Sequence, residues 1–293
     1  MGQFSKQDSL SLRLLEDSMK TSSAALRDDL TLPGRLQNDS LFTRQLVRSL
    51  KIPNSFHFPF DSLNTCSRLY SPDSAFRIIT WHLQIDEEQV KQRGVIQMRT
   101  TDGSLKIFPL TDKSDGIENH DKQIGDHQNW IGAIYYKIIL TRYNQNSYYT
   151  LIGYDENSIR SNKKLIEVMT FKDEKPVFGG PYFNVPNDEG KPSFVTRFIM
   201  EYKKGSGARL TYDDELNIIV KEHLISESNQ PQRKWTLIGD GDYEGFTWNS
   251  GKWVYIEKIF DQKTPEGKAP IPEPLRNEKG EFIKEKGKKK GNR

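Results

Sequence analysis

Two histidines and two carboxylates fall within eight residues, at His120-Asp121 and Asp126-His127. Imidazole nitrogens and carboxylate oxygens at that spacing suit a borderline metal ion. The same groups serve as proton donors and acceptors in hydrolysis. The whole stretch 112–129 is polar, however, and a solvated loop explains it as well. A long loop is also where function of any kind concentrates.

A second set is Gly239-Asp240-Gly241-Asp242-Tyr243-Glu244-Gly245. Asp240, Asp242 and Glu244 on a glycine-permissive backbone can aim several oxygens at one hard cation. The closing acid of an EF-hand loop is missing. Glycine and aspartate also make hairpin turns, and the turn is the stronger reading. No metal and no other cofactor is therefore expected. A third set is aromatic: Tyr135, Tyr136, Tyr143, Tyr148, Tyr149 and Tyr154, with Trp248 and Trp253. Exposed rings stack on sugars or bases, whereas alternating rings on strands more often pack a core. Trp248 and Trp253 flank a tight turn and read as a cross-strand pair. The binding candidates are thus His120, Asp126, His127, Tyr149, Trp248 and Trp253, with Asp240, Asp242 and Glu244 in reserve for a cation.

Other chemistry is thinly represented. The single cysteine, Cys66, can form no internal disulfide and reads as a small buried residue. There is no P-loop, no dinucleotide-binding glycine motif, no nucleophile elbow and no zinc-protease helix motif. No activity follows from these residues alone.

The elements that must position them are mainly strands. Residues 9–30 carry Leu12, Leu15, Met19, Leu26 and Leu30 near a helical period, with Asp8 as a cap. Pro33-Gly34 reads as a break, and a short second helix is expected over 40–50. Together they make a helical arm over 1–55. Leu12, Leu15, Met19 and Leu26 are expected to dock it, either on the β domain or on another chain, because so narrow a stripe is not stable alone.

From 70 to 260 short β-type runs follow one another without helical patterns between them. Asp102-Gly103, 144–146, Asp173-Glu174, 205–207, 213–215, 239–241 and 249–251 read as the turns. The expected fold is therefore mainly β: an antiparallel sandwich or partly closed barrel with an N-terminal helical arm. A β-propeller is the alternative, although no repeat of blade length recurs.

The net charge of +3 is local. Residues 261–293 hold ten Lys/Arg against six Asp/Glu, so the rest of the chain is close to neutral. That argues against a nucleic-acid-binding core. The Pro- and Lys-rich 261–293 read as a flexible basic tail, able to touch a membrane surface peripherally. No apolar run is long enough for a spanning helix, and the start has no signal-peptide core. The chain is then either cytoplasmic or lacks a signal that was removed.

One resemblance bears on that choice. The run 148–155 (YYTLIGYD), Asn162-Lys163-Lys164, 168–171 (VMTF), Pro176-Val177-Phe178-Gly179, 242–246 (DYEGF) and Gly251-Lys252-Trp253-Val254 resemble uncharacterised β-rich exported proteins of Bacteroidota-type bacteria. The similarity covers about 130–260 and brings no activity or catalytic residues with it. It implies the periplasm or cell envelope. The leading expectation is a non-enzymatic binding or assembly component of the bacterial envelope, with another envelope protein as partner. The rival is a hydrolase or glycan-binding protein built on 112–129 and nearby aromatics.

Overall fold

Two helices open the chain in the computed structural model, which describes residues 4–186 and 191–259. Helix α1 (Lys6–Asp28) is capped by Ser5, whose Oγ accepts the Asp8 N–H at 3.0 Å. Helix α2 (Leu32–Leu50) is capped by Thr31 and carries Pro33 in its first turn. This corrects the expected break at Pro33-Gly34 and the expected start near residue 40. Proline is tolerated in a first turn, because the N–H it lacks there has no helical partner anyway.

The strands follow in chain order. β1 (Ser67–Tyr70), β2 (Phe76–Gln84), β3 (Val90–Met98) and β4 (Ile107–Thr111) form an antiparallel N-terminal sheet. β5 (Gly125–Asp126), β6 (Ile134–Tyr143), β7 (Asn146–Asp155), β8 (Ser161–Lys172) and β9 (Lys175–Phe178) build the middle sheet in the order β5-β9-β8-β7-β6. β10 (Phe183–Pro186) and β11 (Pro192–Val195) start the third sheet. β12 (Arg197–Lys203) then returns to the middle sheet and pairs with β8. β13 (Leu210–Asp213), β14 (Ile218–Ser226), β15 (Leu237–Asn249) and β16 (Lys252–Ile256) complete the third sheet, ordered β11-β10-β16-β15-β14-β13. Among the described residues these strands all pair antiparallel except β10 with β16, and an isolated parallel bridge joins Asp112 to Trp130.

The three sheets and the helix pair stack as layers, each interface filled by its own apolar cluster. Leu12, Met19, Leu26, Phe42 and Leu46 meet Ile79, Trp81, Leu83 and Val95 on one face of the N-terminal sheet. Its other face, with Phe76, Ile78 and Ile96, meets Tyr135, Ile138, Tyr149, Leu151 and Leu165 of the middle sheet. The far face of the middle sheet, with Ile139, Ile152, Ile166 and Val168, meets Phe183, Ile219, Phe246 and Trp253 of the third. Adjacent residues such as Leu151 and Ile152 therefore enter different cores, because successive side chains point to opposite faces of a strand. The fold is mainly β, as expected, and layered rather than closed. Three sheets of four, six and six strands stacked face to face replace the repeated blades of a propeller.

The arm is covered by this protein's own N-terminal sheet. Leu12, Met19 and Leu26 recur every seven residues and share one side of α1. Leu15 lies about 40° off the mean of that line in helical projection and is half-buried, at the margin of the docked face and not at its centre. Met19→Ala should therefore destabilise the protein by about 2 kcal/mol, as buried truncations do. Leu15→Ala should cost less than half of that in the same urea titration. Equal effects would mean that α1 is seated on another face.

Hairpin turns at Asn144-Gln145 and Asp173-Glu174 form where expected, both residues of each pair having positive φ. Two other turns do not. Residues 205–207 link different sheets, because β12 pairs with β8 and β13 with β14. Residues 239–241 lie within the long strand β15. The basic tail expected over 261–293 lies outside the described residues.

Candidate functional site

The loop between β4 and β6 is tied down from beneath. Glu167 on β8 and Arg197 on β12 face each other with side chains 1% and 0% exposed, 3.0 Å apart. Glu167 also accepts the Tyr135 hydroxyl, which in turn accepts Trp130 Nε1 at 2.7 Å. Burial, and then the Glu167 charge, push the Tyr135 phenol well above its ordinary pKa, so it stays a donor. The other end of the guanidinium, still buried, reaches the loop. Arg197 Nη1 donates to His120 O, and to Gln123 O at 2.7 Å. Thr196 donates its N–H to Asp121 O at 2.8 Å and its hydroxyl to the same oxygen at 2.8 Å.

This places His120 on the rim of an open cleft of about 480 Å3. Its floor is β12 seen edge-on: five successive residues, Arg197 to Glu201, line it. The facing wall is Lys221, His223 and Leu224 of β14. Val185 and Val195 flank it, with Glu118, His120 and Asp121 toward one end and Lys234 and Leu237 at the other. His120 Nε2 contacts Ser114 O at 3.0 Å.

β12 has no strand on its outer side among the described residues. The Lys204 N–H donates to Arg160 O at 2.9 Å, one step beyond the register pair Lys203–Ser161. Main-chain bonding alternates along an antiparallel pair. Phe198 and Met200 therefore bond to β8, and the N–H and C=O groups of Ile199 and Glu201 point outward into the cleft.

His223 is bracketed by acids. Its Nδ1 lies 2.7 Å from Asp240 and its Nε2 3.7 Å from Glu244. Burial raises the Asp240 carboxyl, but the His223 bond and the Asp242 N–H outweigh it, and the pKa falls below its ordinary value. Glu244 is also ion-paired with Lys221. The carboxylates expected in a turn thus belong to a bulge in β15, where the register slips between Glu222 and Leu224. Asp240 is already engaged by His223 and Glu244 by Lys221, both on the neighbouring strand. Among the described residues no three His, Cys, Asp or Glu side chains are arranged to hold a metal ion.

The other expected site residues do not converge. Asp126 Oδ1 accepts the N–H groups of Gln128 and Asn129 at 2.8 and 2.9 Å, so it shapes a turn. His127 contacts Pro109 O at 3.2 Å and packs on Phe108, away from the cleft lining. Tyr149 is in the core, donating to Asp73 at 2.7 Å. Trp248 and Trp253 are the expected cross-strand pair, 5.3 Å apart, and Trp253 Nε1 donates to Thr150 at 2.8 Å inside the core. Burial pushes the Cys66 thiol up to about 12, which disfavours the thiolate at neutral pH.

Comparison with protein families, curated proteins and solved structures finds no match. The cleft is thus characterised by its own geometry. Of its residues only the neighbours His120 and Asp121 stood out in the sequence. Lys221 and His223 carried a usable signal: they alternate with Glu222 on one strand, opposite an alternating Asp240, Asp242, Glu244 on the next.

Proposed function

We propose that this protein is a non-enzymatic binding component, of the cell envelope as the resemblance implies, that holds an extended segment of a partner protein as an added strand on β12. The open edge of β12 inside the cleft carries this reading. Outward main-chain donors and acceptors supply affinity in strand addition, and flanking side chains supply selectivity. Here Val185, Val195 and Leu224 offer apolar contact. Glu118 and Asp121 toward one end and Lys234 at the other favour a segment of opposite polarity.

Proline at residue 199 tests this. It removes an N–H that points into the cleft and leaves the ladder to β8 intact, an arrangement in which an edge strand tolerates proline. Peptides selected from a displayed library on the unaltered protein should protect the Ile199 and Glu201 amides from hydrogen exchange. Ile199→Pro should abolish their binding while Ile199→Val keeps it. Peptides that bind Ile199→Pro equally well would overturn the reading, and so would a library that yields none.

The Asp240–His223 contact favours a second reading, a hydrolase with His223 as base. It ranks below the first on geometry. The second imidazole nitrogen faces Glu244, and among the described residues no Ser, Thr or Cys lines the cleft. Glycan binding is weaker still, because the one aromatic ring of Phe, Tyr or Trp that lines it among the described residues, Phe198, is packed on Phe246 at 5.1 Å.

A further inference from the structure

Beyond the Lys234 end of the cleft the surface changes character. Three chain segments bring cations together there: the turn before β8, the end of β12 and the 3-10 turn Lys234–Thr236. Lys204 joins the first two, through its N–H to Arg160 O and its Nζ to Ser158 O at 3.1 Å. The Arg160 guanidinium lies over the Trp235 ring at 5.9 Å and joins the third. Lys203 pairs with Glu227 at 2.6 Å, and the Glu227 N–H in turn donates to Thr236 O. Arg160, Lys204, Arg233 and Lys234 are exposed around this point. Two apolar side chains stand among them, Trp235 40% and Ile159 48% exposed.

Cations surrounding a protruding tryptophan and an aliphatic chain match the interface of an anionic bilayer. Phosphates meet the charged groups there, and rings and alkyl chains enter the boundary between headgroups and hydrocarbon. A nucleic acid would match the charges but offers nothing to Ile159. Its bases would also compete with the Arg160 guanidinium for the Trp235 ring.

We infer that this end of the molecule is a peripheral docking surface for anionic phospholipid, adjoining the strand-binding cleft and sharing Lys234 with it. Each cation near such a surface raises the partition constant about fivefold. The full chain should bind vesicles containing phosphatidylglycerol and not pure phosphatidylcholine. Arg160→Glu with Lys204→Glu should lower the partition constant at least about tenfold, with the melting temperature unchanged and the residues after 259 present in both proteins. Arg233→Gln with Lys234→Gln, on a different segment, should act in the same direction. Lipids brominated on their acyl chains should quench the fluorescence of the unaltered protein more than that of Trp235→Phe. Unchanged binding by both charge variants would overturn the inference. Dependence on these cations for oligonucleotide binding, without bromolipid quenching, would also overturn it and assign the patch to nucleic acid.

Discussion

Arg197→Met should destabilise the protein by about 3–5 kcal/mol, the cost of leaving one partner of a buried ion pair uncompensated. Glu167 would remain with its side chain 1% exposed, still accepting Tyr135 but facing no positive charge. The carbonyls of His120 and Gln123 would lose the donor that seats their loop. Two measurements separate these effects. Urea unfolding reads the global loss, and hydrogen exchange of residues 118–123 reads the release of the loop. Glu167→Leu combined with Arg197→Met should recover much of the stability, since a well-packed apolar pair replaces a buried salt bridge at little cost. The loop should stay released in the double variant, because its anchor is the guanidinium itself. A double variant as unstable as Arg197→Met would show that the pair is not the source of the loss.

Arg77 sets up the second large effect, by different physics. Its guanidinium is buried without a carboxylate. Nε donates to Gln97 at 2.8 Å, Nη1 to Phe58 O at 2.5 Å and Nη2 to Ser55 O at 3.0 Å. Phe60 lies 4.9 Å from its centre, and Phe56 and Tyr70 at 6.0 and 5.8 Å. Burial lowers its pKa from the ordinary arginine value. Replacement by leucine would leave several buried acceptors without donors, at roughly 1–3 kcal/mol each. A total loss of about 3 kcal/mol or more is expected in urea unfolding. Protease sensitivity should appear between α2 and β1, the segment these bonds hold. Arg77→Lys should recover little, since one ammonium cannot reproduce a planar fork of donors. Full recovery by lysine would mean that charge alone, and not the fork, holds the segment.

Much of the architecture was legible because turn chemistry is local. Asn144-Gln145 and Asp173-Glu174 adopt positive φ, and each closes the hairpin that its residues advertise. What failed was whatever depends on layers. The N-terminal and middle sheets are covered on both faces, so apolar residues run together in their strands, as at Ile78-Ile79, Val95-Ile96 and Leu151-Ile152, instead of alternating. From such runs the number of sheets cannot be counted. The crossing of β12 out of the third sheet was hidden behind Gly205-Ser206-Gly207, which looks like any hairpin turn. The glycines of 239–241 looked like a turn but sit in a bulge that leaves β15 continuous. The same two misreadings hid the site. Once β12 belongs to the middle sheet it has a bare edge, and once β15 is continuous Asp240 and Glu244 lie against His223. His120 was found through its polar loop, but nothing local distinguishes it from His127, which only shapes that loop's other end.

The layering also has a temporal side. The layers follow chain order, apart from the return of β12. During synthesis the helix pair and the N-terminal sheet emerge first, then β5 to β9, while the strands that cover Ile139, Ile152, Ile166 and Val168 are still to be made. At about 5–20 residues per second that apolar face waits on the order of ten seconds for Phe183, Ile219, Phe246 and Trp253. A nascent chain stalled after β9 is thus a half-clad sheet, and its natural hazard is another copy in the same condition on a neighbouring ribosome.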